Sequence, residues 1–198
     1  MNNAFLIKLC FIISINFSTS AFAQDSFKIK PAGRMYMLYP IQLGDNALAY
    51  GHSANIGYGA QLYLAKFENF RLGFGGDYIK YNVEKANLIG PADDSIYFSL
   101  FVLLSYDINI KSNFNLSPSI GYGSTSLDMK SNQYDISAQA GTEFRVGLYG
   151  DYNFTKHFAC FLGIYYISNQ FDVTTNSAYK DYFGKSSSIQ FSIGVKFF

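Results

Sequence analysis

The chain of 198 residues contains no tryptophan, only two cysteines and few charges. Charged residues make up 15% of the chain, whereas an ordinary soluble domain has about 25%. Lys and Arg number 15 and Asp and Glu 14, so the sequence has no basic excess with which to bind a nucleic acid. Because 49% of the residues are hydrophobic, the composition also excludes a disordered chain. We therefore expect one folded domain that has no nucleic-acid partner.

Long apolar runs are also missing after residue 24. A helix needs about 18 or more consecutive apolar residues to cross a bilayer, so a membrane-spanning helix is excluded there. The residues that are present favour pleated sheet, because the chain contains 20 Phe and 17 Tyr.

The beginning of the chain has the pattern of a secretory signal peptide. Lys8 supplies a positive charge, Leu9–Phe17 is almost wholly apolar, and residues 20–23 end in the small-x-small pattern that signal peptidase accepts. We predict a signal peptide over residues 1–23 and a mature domain over residues 24–198. Removal of the signal peptide leaves a single cysteine, so no intramolecular disulfide is expected in the exported domain.

Alternation of apolar with small or polar residues recurs along the rest of the chain. A period of two residues is typical of a β-strand whose two faces differ. The pattern is clearest over residues 189–197, and it is weak over residues 27–39. Residues 96–108 carry Phe101 and Leu103 on the polar parity, so that stretch alone also fits a buried helix. The pattern predicts eight strands, over residues 27–39, 56–64, 70–78, 96–108, 114–122, 136–152, 158–166 and 189–197.

The links between these strands alternate in length. Outer-membrane barrels have an even number of strands, short periplasmic turns and long extracellular loops. A soluble barrel shows the same alternation of polarity, but the long predicted strands and the aromatic residues near strand ends favour a membrane barrel. The short links are 66–69, 109–113 and 155–157, and the long links are 40–52, 84–95, 128–135 and 171–187.

The sequence resembles the small outer-membrane β-barrel proteins of the porin family, which include OmpA-, OmpX- and OmpW-like barrels. The resemblance rests on the signal peptide, the alternating strands, the Gly-Tyr and Gly-Phe pairs such as Gly121-Tyr122, and the closing residues 194–198. It implies an all-β, eight-stranded antiparallel up-and-down transmembrane barrel in the outer membrane, and we expect a monomer. Its implied partners are outer-membrane lipid, lipopolysaccharide, the barrel assembly machinery and periplasmic chaperones.

The resemblance also implies that Phe198 is part of the signal read by the assembly machinery. The apolar parity of the last strand ends at Phe197, so Phe198 departs from the family pattern by being out of phase. A girdle of aromatic residues is expected at the periplasmic interface. Its predicted members are Phe70, Tyr106, Phe114, Tyr152, Phe154, Phe158 and Phe197.

Four charged residues near the middle of predicted strands are expected to point into the barrel, and their charges balance. They are Arg34, Asp77, Glu143 and Arg145. An eight-stranded barrel is only wide enough to be filled by its own side chains, so we interpret these four residues as a structural plug. A gate or narrow polar path through the same four residues is the alternative.

His52, Asp94 and Ser95 lie at the ends of two long links, on the same predicted rim. Imidazole, carboxylate and hydroxyl together suit acyl transfer, and the grouping is similar to the loop residues of PagP, a lipid A palmitoyltransferase that is also an eight-stranded barrel. All three residue types are common in loops, so we favour a protein without catalytic activity.

No spacing of metal ligands and no phosphate-binding glycine motif is present, so neither a metal nor a cofactor is expected.

The expected function is therefore a membrane-structural or surface-interaction role. A narrow OmpW-like channel for small solutes is the first alternative, and it would depend on an apolar lumen, for which Phe101, Leu103 and Phe161 are the indications. Lipid A acyl transfer is the second alternative. The long loops are rich in Tyr, Asn and Ser, which suits an adhesin but names no ligand.

Overall fold

The structure is a computed structural model that describes residues 27–89, 92–131 and 135–198; the predicted signal peptide, residues 1–23, lies outside them. The described residues form three short α-helices, α1 (Ala47–Gly51), α2 (Ala86–Ile89) and α3 (Lys180–Gly184). They also form ten strands: β1 (Phe27–Leu43), β2 (His52–Ala54), β3 (Gly57–Phe67), β4 (Phe70–Val83), β5 (Asp94–Tyr106), β6 (Ile108–Lys111), β7 (Phe114–Lys130), β8 (Asp135–Asn153), β9 (Phe158–Phe171) and β10 (Lys185–Phe197).

Eight of the strands in the described residues close into a ring. Each pairs antiparallel with its neighbours in the order β1-β3-β4-β5-β7-β8-β9-β10, and β1 closes the ring by pairing with β10. At this seam Met37 lies opposite Ile193. The two short strands are extensions, since β2 pairs with the end of β4 and β6 pairs with the start of β7. The predicted all-β, eight-stranded antiparallel barrel is confirmed.

The weak stretch 96–108 is part of this wall rather than a helix. It belongs to β5, where Phe101 and Leu103 point into the barrel and are only 3% and 2% exposed. The helical interpretation is therefore wrong, because an aromatic ring inside the lumen replaces the polar residue that simple alternation predicts.

Several strands also run beyond their predicted ends, so the predicted long links are too long. Asp94 and Ser95 begin β5, and His52 begins β2, instead of lying in loops.

The two faces of the wall differ as the alternation predicts. On the outer face Leu62 is 39% exposed, Leu162 64% and Ile193 56%. On the inner face, Arg34 is 1% exposed and Glu143 is fully buried. An apolar exterior around a polar interior is the arrangement of a barrel surrounded by hydrocarbon. Among the helices of the described residues, none is long and apolar enough to cross a membrane.

The two ends of the barrel also differ. The short-turn end carries the turns at residues 68–69, 112–113 and 154–157. The long-link end carries the three helices, and α1 buries Leu48 against the inner-face residues Leu38 and Ile79. The helix therefore packs over the lumen at that end.

Candidate functional site

The four predicted lumen charges lie inside the barrel but do not form one cluster. Arg34, Asp77, Glu143 and Arg145 are at most 3% exposed. Arg145 bridges two carboxylates, with Nη2 2.9 Å from Asp77 Oδ2 and a nitrogen 2.6 Å from Glu143 Oε1. Arg34 forms its ion pair elsewhere. We call Asp77, Glu143 and Arg145 the upper cluster.

Arg34 belongs to a second group, which we call the lower cluster: Arg34, Asp151 and Lys196. Arg34 Nη2 donates to both carboxylate oxygens of Asp151, at 2.9 and 2.8 Å, and Lys196 Nζ donates to Oδ2 at 2.6 Å. Arg34 and Lys196 face each other in the register of β1 and β10. Asp151 and Lys196 are absent from the predicted set, although both follow the inward parity of their strands.

Tyrosines and one glutamine connect the two clusters. The Tyr36 hydroxyl donates to Asp77 Oδ1 at 2.6 Å, and Gln61 Nε2 donates to the Tyr36 hydroxyl at 3.2 Å. The Tyr63 hydroxyl donates to Gln61 Oε1 at 3.1 Å and accepts from Arg34 Nη1 at 3.1 Å. A continuous chain of hydrogen bonds therefore runs from Asp77 to Arg34 across the interior.

The same network extends from the upper cluster toward the long-link end. The Tyr97 hydroxyl donates to Glu143 Oε2 at 2.5 Å and lies 3.1 Å from Asn169 Oδ1, whose amide donates to Ser186 Oγ at 3.2 Å. Because the single Tyr97 hydroxyl proton goes to Glu143, the hydrogen-bonded network begins at Tyr97 and ends at Lys196, and the Asn169–Ser186 hydrogen bond lies beyond it. Ser186 and Lys196 lie near opposite ends of β10, so at about 3.3 Å per residue and a tilt of about 40° these polar groups together span roughly 25 Å along the barrel axis.

Aromatic faces support both guanidinium groups. Arg145 Cζ lies 3.3 Å from the centroid of the Phe101 ring, and Arg34 Cζ lies 3.7 Å from that of Tyr149. Phe161 packs edge-on against Tyr149, with ring centroids 5.6 Å apart. These rings occupy the lumen and stabilise the cations by cation–π contact. Phe101, Leu103 and Phe161, expected as indications of an apolar path, thus fill space around the charges.

Charge balance explains how so many ions are buried. The two clusters together contain three cations and three carboxylates, and each is in an ion pair. An unpaired buried charge costs far more than a paired one, so removing one member of a pair without its partner is expected to destabilise the barrel.

Small inner-face residues make room for this network. A Cβ at Gly59 would overlap Asp77 Oδ1 and the Tyr36 ring. A Cβ at Gly75 would lie 2.7 Å from the Phe101 ring and from Gln61 Cγ. Glycine at these two positions therefore lets large side chains from neighbouring strands meet in the middle of the lumen.

A third group of charges lies at the short-turn end. Asp107 accepts from Arg71 Nε at 2.5 Å, and Lys66 Nζ lies 3.5 Å away. Burial raises the pKa of Asp107, but the hydrogen bond and positive charge of Arg71 outweigh it and lower that pKa below its ordinary value. The Phe198 ring contacts this region, 4.8 Å from Lys196 Nζ and 5.9 Å from Arg71 Cζ.

The last two residues thus have different surroundings. Phe197 is on the outer face and 45% exposed, whereas Phe198 lies at the mouth of the lumen near cations. The role of Phe198 in assembly stays a prediction.

The predicted girdle residues lie near the short-turn end, and several rings contact each other. Phe70 and Tyr106 have ring centroids 4.8 Å apart, and Phe158 lies 6.2 Å from Phe154 and 5.7 Å from Phe197. Phe114 and Phe158 are half-buried, and the other girdle members are exposed. The exposed rings supply amphipathic or apolar surface at the level of the turns.

At the long-link end, the structure brings His52 and Ser95 together but not Asp94. Asn46 caps α1 by accepting from the Ala49 amide at 2.9 Å, and His52 follows the helix directly. His52 Nδ1 lies 3.2 Å from the Ala47 carbonyl, and Nε2 lies 2.9 Å from Ser95 Oγ. A carbonyl only accepts, so neutral His52 donates from Nδ1 and accepts from Ser95.

Asp94 points to the opposite face of β5 from Ser95, because successive residues of a strand alternate. Its carboxylate pairs with Lys80 Nζ at 2.5 Å. Ser95 is fully buried, and burial lowers the pKa of His52, with the Ala47 carbonyl opposing that shift. Of the three residues grouped from the sequence, His52 and Ser95 are therefore joined by a buried hydrogen bond, and Asp94 lies apart from them. In the described parts of the chain, no group of three or more His, Cys, Asp or Glu side chains is arranged to hold a metal ion.

No protein-family model matches the chain, and no curated protein matches its sequence significantly. Several solved structures share its fold. Neisserial surface protein A matches with a TM-score of 0.57 at 15% identity, over 84% of this chain and 96% of that protein. The outer-membrane protein AlkL, solved in lipid bilayers, matches with 0.51 at 14% identity, over 86% and 90% of the two chains. The outer-membrane protein OprG from Pseudomonas aeruginosa matches with 0.50 at 15% identity, over 87% and 95%. The chain therefore has the fold of small outer-membrane barrels.

Proposed function

We propose that this protein is a monomeric, non-enzymatic integral protein of the outer membrane whose lumen is closed by its own side chains. The observation that carries this proposal is the continuous network of hydrogen bonds and ion pairs from Tyr97 to Lys196, in which both charge clusters are buried. A path for ions or solutes would need to separate paired charges that are buried, which is costly. The protein then acts as a structural or surface-interaction element of the membrane.

The apolar outer face of the barrel supports the proposed location in the outer membrane. The outward side chains of the wall are apolar, and exposed aromatic rings lie where the wall ends at the short turns. By the general construction of such barrels, the short turns face the periplasm and the long links face the exterior. The partners proposed on this basis are outer-membrane lipid and lipopolysaccharide, with the barrel assembly machinery and chaperones during biogenesis.

Conductance in planar bilayers tests the closed lumen. We expect no discrete current steps from the folded protein, with a general porin in the same bilayer as the calibrating control. Regular steps from the unmodified protein would refute the closed lumen and favour the narrow channel for small solutes.

Lipid A acyl transfer is a second candidate, because one observation favours it. A neutral imidazole that accepts a hydrogen bond from a serine hydroxyl is how a serine nucleophile is activated. Against it, His52 is oriented by a backbone carbonyl rather than a carboxylate, and Ser95 is fully buried. The pair therefore supports a tether between α1 and β5 better than a reaction.

Mass spectra of lipid A distinguish a tether from an enzyme. Cells that express the protein, its Ser95→Ala variant or no protein should give identical spectra. An acyl-chain difference that appears with the unmodified protein and disappears with Ser95→Ala would establish the enzyme. A difference that persists in Ser95→Ala would exclude Ser95 as nucleophile.

A further inference from the structure

The short-turn end carries exposed lysines close to the aromatic girdle. Lys30 lies near the start of β1, Lys111 ends β6, and Lys156 lies in the turn between β8 and β9. We call these three residues the lysine rim. Lys156 stands between Phe154 and Phe158, whose rings contact each other. Because aromatic girdles mark the membrane–water interface, the rim lies at the depth of lipid headgroups.

No residue in the described part of the chain neutralises the rim lysines. None of them forms an ion pair within the described residues. Of the carboxylates toward this end, Asp107 is held between Arg71 and Lys66, and Asp151 between Arg34 and Lys196. Each of these two groups has one more cation than anion, so it adds positive potential.

Among the described residues toward this end, Glu68 is the remaining acidic residue, and it is exposed in the turn between β3 and β4. One exposed carboxylate does not balance three exposed ammonium groups together with two cationic inner groups. The short-turn end of the barrel is therefore a positively charged surface.

The long-link end of the barrel does not have this excess of positive charge. Two of its lysines are paired, Lys80 with Asp94 at 2.5 Å and Lys185 with Asp181 at 2.9 Å. Further carboxylates there are exposed, among them Asp45, Glu84 and Asp172, and Asp128 is half-buried. The positive surface is thus specific to one end, although the chain as a whole has 15 basic and 14 acidic residues.

We propose that the lysine rim binds the headgroups of anionic phospholipids in the leaflet that meets the short-turn end of the barrel. Charge complementarity at headgroup depth supports this partner, because a lysine next to an anionic bilayer surface is attracted to it within a Debye length. The girdle fixes the height of the rim, so several headgroups contact it without any movement of the barrel. Apolar outer-face side chains beside the girdle receive the acyl chains of the same lipids.

Lipid enrichment tests this proposal. The full mature protein is reconstituted in nanodiscs of phosphatidylcholine and phosphatidylglycerol at 3:1, extracted with mild detergent, and the retained lipids are counted by native mass spectrometry. We expect phosphatidylglycerol to be enriched about fivefold over its bulk ratio for each headgroup held by one lysine. The enrichment should fall when NaCl is raised to about 0.5 M, because salt screens surface charges.

Matched variants assign the enrichment to the rim. The variant with Lys30→Gln, Lys111→Gln and Lys156→Gln should lose most of it, and the arginine counterpart with Lys30→Arg, Lys111→Arg and Lys156→Arg should keep it. The control removes three exposed lysines at the other end of the barrel, namely Lys85→Gln, Lys130→Gln and Lys180→Gln. It changes the net charge equally and should retain the enrichment.

The proposal is overturned if the unmodified protein shows no enrichment, or if the rim and control variants lose it equally. It is also overturned if the rim binds a soluble anionic glycan at the same ionic strength in preference to phosphatidylglycerol, since the partner is then a periplasmic polymer. The shift of the unboiled protein in electrophoresis verifies that each variant is folded. If the glutamine variant does not fold, the salt dependence and the arginine variant still decide the outcome, because a charge-based site requires both results.

Discussion

Arg145 lies over the face of Phe101, with its guanidinium carbon 3.3 Å from the ring centroid. The contact joins β8 to β5 across the lumen, and the same guanidinium holds Asp77 at 2.9 Å. Phe101 thus occupies an inner-face position that alternation assigns to a polar residue. The ring supplies a flat, polarisable surface for a cation that water cannot reach.

Removing the cation of the upper cluster should destabilise the barrel strongly. Arg145→Met leaves Asp77 and Glu143 buried with no guanidinium, and a broken buried pair costs about 3–5 kcal/mol. We expect the free energy of unfolding to fall by about that amount in urea titrations of the protein folded in lipid vesicles. Lys85→Met, at an exposed lysine, should change it by about 0.5 kcal/mol or less.

The compensated variant separates charge imbalance from lost packing. Asp77→Asn and Glu143→Gln added to Arg145→Met remove all three charges of the upper cluster, so most of the lost stability should return. A compensated variant that is as unstable as Arg145→Met would show that the guanidinium acts by filling space rather than by balancing charge.

Two glycines on opposite faces provide a sharper test of lumen packing. Gly59→Ala places a methyl group against Asp77 and the Tyr36 ring, and overpacking of this kind costs about 1–3 kcal/mol. At Gly33 the nearest atom to an added Cβ is Gln61 O at 3.9 Å, an ordinary contact. Gly33→Ala should therefore unfold at about the same urea concentration as the unmodified protein. Equal midpoints for both variants would contradict the close packing around Gly59.

Parity predicted which side chains point inward, because successive residues of a strand face opposite sides whatever the register. It placed Arg34 and Arg145 on the inner face from local sequence alone. It did not predict that Arg34 pairs with Asp151, 117 residues away, because that contact depends on which strands face each other across the lumen. The shear of the barrel sets this relationship, and no local pattern records it.

For His52, Asp94 and Ser95, the sequence indicates which residues lie at the same end of the barrel but not which side chains meet. The sequence places His52 and Ser95 at the ends of two links on the same end of the barrel, and their side chains are hydrogen-bonded at 2.9 Å. Asp94 belongs to the same candidate group only if it lies in a loop. Once β5 begins at Asp94, the pleat directs it away from Ser95.

The position of Phe198 leads to a prediction that separates assembly from stability. Its ring is 40% exposed and contacts the buried cations Lys196 and Arg71 at the mouth of the lumen, and cation–π contacts contribute about 0.5–2 kcal/mol. Phe198→Ala should therefore lower the free energy of unfolding of the refolded protein by about 2 kcal/mol or less. If Phe198 is part of the assembly signal, the same variant should greatly reduce the amount of folded barrel in the outer membrane of cells.

Phe197→Leu is the control for this experiment, because it keeps an apolar side chain on the outer face beside Phe158. It should assemble normally. Normal assembly of Phe198→Ala would count against the assembly role, and a large loss of stability in the refolded Phe198→Ala variant would indicate a structural role instead.

Acid should loosen the packing of α1 over the lumen through His52. Burial holds the pKa of His52 below its ordinary value of 6.5, and Ser95 and the Ala47 carbonyl fix the neutral ring. When the segment opens, His52 regains a pKa near 6.5. Above that pH the ring is neutral in both states; as pH falls below it, the open state binds the proton more readily, so the closed state loses stability.

Hydrogen–deuterium exchange over residues 44–54 measures this opening. After correction for intrinsic exchange rates, we expect protection to fall between pH 7.5 and pH 5. His52→Gln keeps a hydrogen-bonding side chain that does not titrate, so its protection should be independent of pH over that range. His157→Gln, at an exposed turn on the other end of the barrel, should behave like the unmodified protein. Loss of the pH dependence in His157→Gln rather than in His52→Gln would show that another group controls the opening.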